Sequence, residues 1–289
     1  MRAEDSQRMP WLAVSGLVLA GLGVAAFLAP DNIQALHNHE MANLGPLQAP
    51  PFGTDSRGIG LHYCAMQGAK IVLVPSLVAG VMVMGFAVVA GLLRCSVGGG
   101  GLDNAIQVAS ELLGALPRMV VILVVATLLP KEWSSLMPIA LTWALLAAPG
   151  VMDEAATTAG RLGGERFVEA LRAHGFSGIR TYLYHVVWLN LRSVIVRQGV
   201  EVMMQVVYLE IALSYMIEAA DWPPITHSNS TESWAYLLYI GFKALMDGLV
   251  LHPSMLTAQP LYHALYASVV VLGMMALMGQ GFKRAARAR

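Results

Sequence analysis

Six long apolar segments limit what this chain can fold into more than any other feature of its sequence. They cover residues 11–29, 71–93, 105–129, 134–152, 194–217 and 262–282. Each is close to the roughly 20 residues that an α-helix needs to cross the hydrocarbon core of a bilayer. Only 12% of the residues are charged, about half the share that is typical of soluble domains. The sequence therefore predicts an all-α membrane protein with six transmembrane helices.

The positions of the lysine and arginine residues predict the orientation of these helices. With the N-terminus on the inner side, twelve of the 18 basic residues lie in inner segments, and four lie in outer segments: Arg57, Lys70, Lys131 and Lys243. Inner loops of membrane proteins carry the excess of positive charge. We therefore expect both termini on the inner side. The formal net charge of zero gives no indication of a nucleic-acid partner.

The apolar segments also divide the chain into parts. Residues 1–30 are expected to form an N-terminal anchor helix, because their apolar run exceeds the roughly 7–15 residues of a signal-peptide core. An outer loop covers residues 31–70, and a membrane core covers residues 71–289. The core contains two long loops, an inner one at 153–192 and an outer one at 218–261.

The inner loop contains a predicted short helix at residues 164–175. Apolar residues recur along it at helical spacing, namely Phe167, Val168, Ala170 and Leu171. Gly175 is expected to adopt the left-handed backbone conformation that ends a helix. A rigid helix of this kind is suited to passing force between membrane helices and a soluble motor. On periodicity alone, it could equally be any surface helix.

The same loop resembles a known motif. Its run Glu169-Ala-Leu-Arg-Ala-His-Gly175, followed by Ser177, Arg180 and His185, is similar to the EAA motif of ABC importer permeases. More narrowly, it resembles the C-type subunit of dipeptide, oligopeptide and nickel importers, in which this loop forms a helix that docks on an ATPase. The resemblance implies that coupling to the ATPase depends on Glu169, Ala170, Leu171, Arg172, Gly175, Arg180 and His185.

Three further landmarks of that family occur in the same order along the chain. Pro51-Phe-Gly-Thr-Asp55 with Gly58, and then Gly68-Ala-Lys70-Ile71, resemble the segment that precedes the second span. Glu111-Leu-Leu-Gly-Ala-Leu-Pro117 resembles a segment of the third span. The run Glu210-Ile-Ala-Leu-Ser214 and the pairs Pro223-Pro224 and Ser233-Trp234 resemble the end of the fifth span and the loop after it.

The resemblance implies a type I importer permease fold in a bacterial inner membrane. It also implies a second homologous permease, two ATPase subunits or domains, and a periplasmic or lipid-anchored binding protein as partners. ATP and Mg would be held by the ATPases, because this chain has no G-x-x-x-x-G-K-[ST] loop. The chain itself is expected to be a non-catalytic subunit without a cofactor. Its substrate is left open between a small peptide, a nickel complex and a similar solute.

The chain differs from the family pattern at several positions. Glu154-Ala-Ala-Thr-Thr-Ala-Gly160 matches E-A-A-x-x-x-G literally, but it lies against the fourth apolar segment and lacks the downstream Ser, Arg and His, so Glu169 is preferred. Val187-Trp188 stands where the family has Leu-Pro, and Ile59-Gly60 where it has Arg-Asp. Because proline breaks helices, its absence predicts a less kinked entry into the fifth span.

Polar residues in the fifth span are candidates for lining a translocation path. Glu201, Gln205 and Tyr208 are spaced i, i+4 and i+7, so they share one helix face. Ionisable residues inside spans often face a path or a buried partner. Structural ion pairs are the alternative, including a pair between Glu201 and Arg197 one turn away.

The outer loop contains a His-x-His-Glu sequence. His37 and His39 are the candidates for a metal site, because imidazole suits nickel and zinc. The alternative, which we expect, is an ordinary solvated loop with no metal.

Two other functions remain open. In a secondary transporter or channel, Glu201 and Glu210 could relay protons, and uptake would persist without ATP while a proton gradient is held. In a non-transporting structural subunit of a membrane complex, the chain would associate stably with other proteins but with no ATPase.

Overall fold

The computed structural model is mostly helical. It describes residues 2–219, except for 43, 46, 56, 98–100, 130–134 and 164–165, and eight later positions: 233, 234, 237, 238, 273, 276, 279 and 280. The helices are α1 (Arg2–Leu28), α2 (Leu61–Val97), α3 (Gly101–Ala115), α4 (Arg118–Leu128), α5 (Leu136–Gly163), α6 (Arg166–Ala173), α7 (Gly178–Arg180) and α8 (Arg192–Ala219). A π-helical segment, Thr181–Leu191, joins α7 to α8.

Among the described residues, two helices are long and apolar enough to cross a membrane, namely α2 over Leu61–Ala90 and α5 over Leu136–Arg161. Helix α1 contains a shorter apolar stretch, Gly16–Leu28. The predicted fifth span lies within α8, which is less apolar on average than α2 or α5. Most of the predicted sixth span, 262–282, and most of the predicted outer loop, 218–261, lie outside the described residues.

The predicted third span is not one straight helix. Gln107–Ala115 and Arg118–Leu128 are long and apolar enough for a span only when they are taken together. The two helices are bent by 76° relative to each other. The break falls at Pro117, which precedes α4. Proline lacks a backbone N–H and disfavours helical backbone at the residue before it. The bent pair is therefore either a broken span or a re-entrant loop, and counting it as one span gives three candidate spans.

Helices α2 and α5 are longer than the apolar segments that predict them. Helix α2 begins at Leu61 rather than near residue 71, because Leu61 and Cys64 are buried in an apolar cluster below the outer loop. Helix α5 ends at Gly163 rather than near residue 152, because Ala155 and Ala159 continue its buried stripe. Residues 61–70 of the predicted outer loop therefore belong to α2, and residues 153–163 of the predicted inner loop belong to α5.

Small residues hold α2 and α5 together. The apolar cluster at this crossing contains Ala79, Val83 and Ala87 of α2 and Ala140, Ala144, Ala147, Ala155 and Ala159 of α5. Small side chains let two helix backbones approach closely, and this packing drives helix association in lipid. The pair forms the centre of the bundle.

Helices α2 and α8 also approach each other closely. A Cβ atom added to Gly80 would lie 2.9 Å from the backbone oxygen of Gly199, and a Cβ added to Gly199 would lie 2.5 Å from Cγ of Met84. Both distances are shorter than van der Waals contact. A side chain at residue 80 would collide with the backbone of Gly199, and one at residue 199 would force the Met84 side chain to move. Helix α8 therefore lies directly against α2.

The outer loop is tied to α2 by an ion pair. Lys70 Nζ donates a hydrogen bond to Asp31 Oδ1 at 2.9 Å. The hydrogen bond and charge of Lys70 hold the pKa of the Asp31 carboxyl below its ordinary value. Since Asp31 follows the end of α1, this pair links α1 to α2 across the loop.

Candidate functional site

Helix α6 is fixed to the bundle by one face and exposes the other. Val168 is fully buried, in the apolar cluster that also contains Val187 and Leu191 of the π-helical segment. Leu171 is half-buried, whereas Glu169 and Ala170 are exposed. Ala170 therefore does not belong to the buried stripe, because a position two residues from Val168 lies about 200° around the helix.

The C-terminal end of α6 has the predicted glycine cap. Gly175 has a φ of +76°, in the left-handed region. The Phe176 N–H donates to the carbonyl of Leu171 at 3.2 Å, and the His174 N–H donates to the carbonyl of Ala170 at 3.0 Å. The first of these bonds, from the residue after the glycine back to the last turn, is typical of a Schellman motif. The prediction for Gly175 is confirmed.

A second helix begins directly after this cap. Ser177 Oγ accepts a hydrogen bond from the Arg180 N–H at 3.4 Å, and the Ser177 carbonyl accepts one from the Thr181 N–H at 3.0 Å. A serine hydroxyl at this position caps the first turn of a helix. Residues 174–177 therefore form the turn that joins α6 to α7, and the Arg180 side chain lies over Phe176 of that turn.

The ring of Phe176 connects this turn to the π-helical segment. The Arg180 guanidinium carbon lies 5.3 Å from the centroid of the Phe176 ring. The His185 ring meets the Phe176 ring edge-on, with centroids 5.9 Å apart, and it also meets Tyr184 edge-on at 5.1 Å. Edge-on aromatic pairs and cations over rings are each stabilising. Two residues of the motif thus meet at Phe176.

Sequence reasoning did not single out Phe176. Its signal was nevertheless available, because an apolar residue directly after a helix-ending glycine commonly packs back on the last turn. Of the other motif residues, Arg172 has a side chain outside the described part of the chain, as does Phe167 of the predicted helix. The first two residues of that predicted helix, 164 and 165, lie outside it altogether.

The entry into α8 is wound more widely than an α-helix. Thr181–Leu191 is π-helical, and α8 begins at the next residue. The Asn190 amide donates to the backbone oxygen of His185 at 2.6 Å. π-Helical turns often occur at functional sites. We call α6, the turn, α7 and this segment the α6–π element.

The second E-A-A-type segment has a different environment. Both carboxylate oxygens of Glu154 accept hydrogen bonds from α8, one from Arg197 and one from Gln198. Glu154 is therefore engaged between α5 and α8, whereas Glu169 is exposed. A pair between Arg197 and Glu201 was one of the alternatives for the fifth span, and the structure shows an ion pair of Arg197 with Glu154 of α5. A glutamate on α5 approaches from outside the helix, which sequence spacing along α8 could not reveal.

The predicted path residues lie on α8. Gln205 Oε1 accepts a hydrogen bond from Trp143 Nε1 of α5 at 3.0 Å. Glu201 and Gln205 are half-buried, whereas Tyr208 is 50% exposed. Part of the predicted face therefore contacts α5. Glu210 is buried.

The Pro51–Asp55 landmark folds into a compact turn above α2. Asp55 Oδ1 accepts the N–H groups of Arg57 and Ile59, both at 2.9 Å. Gly58 has a φ of +77°, and a Cβ there would lie 1.8 Å from the backbone oxygen of Asn38. Only glycine fits at this position. Ile59, which replaces the family's arginine, is buried.

Two landmarks that are far apart in sequence meet at α2. Trp234 is buried, and its Nε1 donates to the backbone oxygen of Ala65 at 2.8 Å. A Cβ on Gly68 would lie 2.3 Å from Cδ1 of Trp234. The indole ring therefore occupies the space that any side chain at residue 68 would need.

The outer-loop histidines are neighbours. The His37 and His39 rings are 4.2 Å apart, and both residues are exposed. Within the described residues, no group of three or more His, Cys, Asp or Glu side chains is placed to hold a metal ion.

Comparison with known proteins adds no family to this picture. No family model matches the chain, and no curated protein matches it.

Proposed function

We propose that this chain is the C-type permease subunit of an ATP-driven ABC importer of the dipeptide, oligopeptide and nickel kind. The observation that carries the proposal is the α6–π element. It combines an exposed helix face at Glu169 and Ala170, a glycine-capped end, and a buried anchor at Val168. These are the properties that a part docking on a soluble motor requires.

The proposed mechanism is mechanical rather than chemical. ATP and Mg bind to two partner ATPase subunits or domains, and their closure moves α6 as a rigid body. Val168 passes the motion to α5 and to the π-helical segment through their shared apolar cluster. Close-packed interiors transmit such displacements instead of absorbing them. The path then alternates between two states that are biased by ligands on both sides.

The proposal includes a topology and a set of partners. The chain crosses a bacterial inner membrane six times with both termini inside, and it pairs with a second homologous permease. A periplasmic or lipid-anchored binding protein delivers a small peptide, a nickel complex or a similar solute. Exposed apolar residues on α3 and α4 are compatible with a lipid or permease neighbour, among them Val108, Leu112, Met119, Val120 and Leu128.

The meeting of Trp234 with Gly68 supports the resemblance. The sequence pairs Ser233-Trp234 and Gly68-Ala69 each resemble a family landmark, and they lie far apart in the sequence. Their contact gives both a shared physical reason, because the indole ring fits only against a glycine. A chance likeness at two separate places would not require them to touch.

The test is affinity purification of the tagged chain from native membranes in mild detergent. We expect a second permease and one or two ATPase chains in stoichiometric amounts. Glu169→Lys should lose the ATPases and ATP-driven uptake while the second permease stays bound. Glu40→Lys is the matched control, because Glu40 is equally exposed but lies in the outer loop.

Two results would overturn the proposal. Uptake that continues without ATP while a proton gradient is held would indicate a secondary transporter. A stable complex that contains no ATPase, after cross-linking before solubilisation, would indicate a structural subunit.

A further inference from the structure

Arg180 and His185 belong to the motif but lie in different parts of the α6–π element. Arg180 ends α7, and His185 is in the middle of the π-helical segment. Both nevertheless have an aromatic contact within the chain, and they share it. Arg180, although exposed, lies over the ring of Phe176, and the half-buried His185 meets the same ring edge-on.

Phe176 connects three parts of the element at once. Its N–H closes the end of α6 on the carbonyl of Leu171. The face of its ring lies under the Arg180 guanidinium of α7, and the His185 ring meets it at an interplanar angle of 81°. Among the described side chains of α6, Val168 is the buried one, and it lies in the apolar cluster. Removing the Phe176 ring would therefore take away the contacts that link the end of α6 to Arg180 and His185, while Val168 keeps its place in the cluster.

We infer that Phe176 is the positioning residue of the α6–π element, and that Arg180 and His185 act through its ring rather than by touching an ATPase. The inference rests on the proposed function for its transport readout only. The rigidity of the element is a property of this chain alone, so it is measurable without any partner.

The first experiment is hydrogen exchange on the full-length chain in nanodiscs. Phe176→Leu should speed amide exchange across residues 166–177 about tenfold, because losing the two ring contacts weakens the local structure. Phe176→Tyr keeps the ring and should exchange like the wild type. Trp188→Leu is the matched control, because Trp188 is an exposed aromatic residue of the same π-helical segment.

The second experiment is a double-mutant cycle on ATP-driven uptake. Arg180→Gln should lower uptake in the wild type but have little further effect in the Phe176→Leu background, because residues that act through one contact are not additive. The same is expected of His185→Gln. Fully additive losses would mean that Arg180 and His185 act independently of the ring, and they would overturn the inference.

The outcomes separate this inference from the proposed function. Faster exchange in Phe176→Leu, together with an absence of ATPase partners, would support the positioning role of Phe176 and contradict the proposed importer function. Wild-type exchange and wild-type uptake in Phe176→Leu, in a preparation that does contain the ATPases, would contradict the positioning role of Phe176 and leave the proposed importer function standing.

Discussion

At the scale of single residues, one backbone angle ends α6. Gly175 is in the left-handed region, yet a Cβ at this position would meet nothing within 4 Å. The glycine is therefore required for its conformation and not for space. Gly68 is required for space, because a side chain there would collide with Trp234, and Gly58 is required for both reasons, because it has a φ of +77° and a side chain there would collide with Asn38.

This distinction predicts a contrast between two neighbouring glycines. Gly175→Ala should destabilise the end of α6 by about 1 kcal/mol, because L-residues resist the left-handed conformation. Gly178→Ala is the matched control: Gly178 is equally open but has no positive φ, so the same change should be neutral or slightly stabilising. Hydrogen exchange of the Phe176 amide measures both.

A third variant checks the cause. Gly175→Asn should recover most of the lost protection, since asparagine tolerates the left-handed region. Equal effects of alanine at residues 175 and 178 would contradict the assigned role of φ.

At the scale of elements, α5 and α8 are joined by a polar contact that cannot be recognised from spacing in the sequence. Glu154 accepts hydrogen bonds from both Arg197 and Gln198, and its side chain and that of Arg197 are about one-third exposed, at 36% and 32%. Such a pair is only partly screened by solvent. Removing one partner of the pair leaves the charge of the other partner poorly hydrated.

Arg197→Gln should therefore lower the free energy of unfolding by about 2 kcal/mol, the cost of removing a charged partner from a half-buried carboxylate. The double exchange Glu154→Arg with Arg197→Glu should recover part of that loss. Asp153→Asn is the control, because Asp153 is adjacent but exposed. Thermal unfolding in detergent is the measurement. A loss in the double variant equal to the sum of its single losses would contradict the pairing.

Elements that depend on neighbouring residues could be predicted from the sequence, whereas elements that depend on contacts between distant residues could not. Periodicity and glycine chemistry are local, so α6 and its cap at Gly175 could be predicted from neighbouring residues. The break at Pro117 was also local, but the length of the apolar run concealed it. The early start of α2 depends on burial against residues far along the chain, such as Trp234. The partner of Arg197 is 43 residues away, which no spacing rule reaches.

At the scale of the whole molecule, one contact constrains the number of membrane crossings. Trp234 lies beside Ala65, near the start of α2. A chain that starts at residue 65 and returns to the same place at residue 234 crosses the membrane an even number of times. Between these positions lie α2, the bent pair α3–α4, α5 and α8.

Because the number of crossings between residues 65 and 234 is even, the crossing of the bent pair depends on that of α8. Helices α2 and α5 are each long and apolar enough to cross. If both do cross, the bent pair and α8 either both cross or both fail to cross. Helix α8 lies against α2 at Gly80 and Gly199, well inside the apolar length of α2. A helix packed there occupies the same depth as α2. We therefore expect α8 and the bent pair both to cross, as the proposed six-span topology requires.

Thiol labelling of Ala35→Cys and Ala173→Cys, each in a protein with Cys64 and Cys95 replaced by alanine, tests this directly. Both introduced positions are exposed, and α2, the bent pair and α5 separate them. Three crossings put them on opposite sides, so an impermeant maleimide applied to spheroplasts should label only residue 35. Residue 173 should react once detergent opens the membrane, which controls for its reactivity. Labelling of both in intact spheroplasts would mean that Pro117 makes a re-entrant loop, and parity would then remove α8 from the membrane as well.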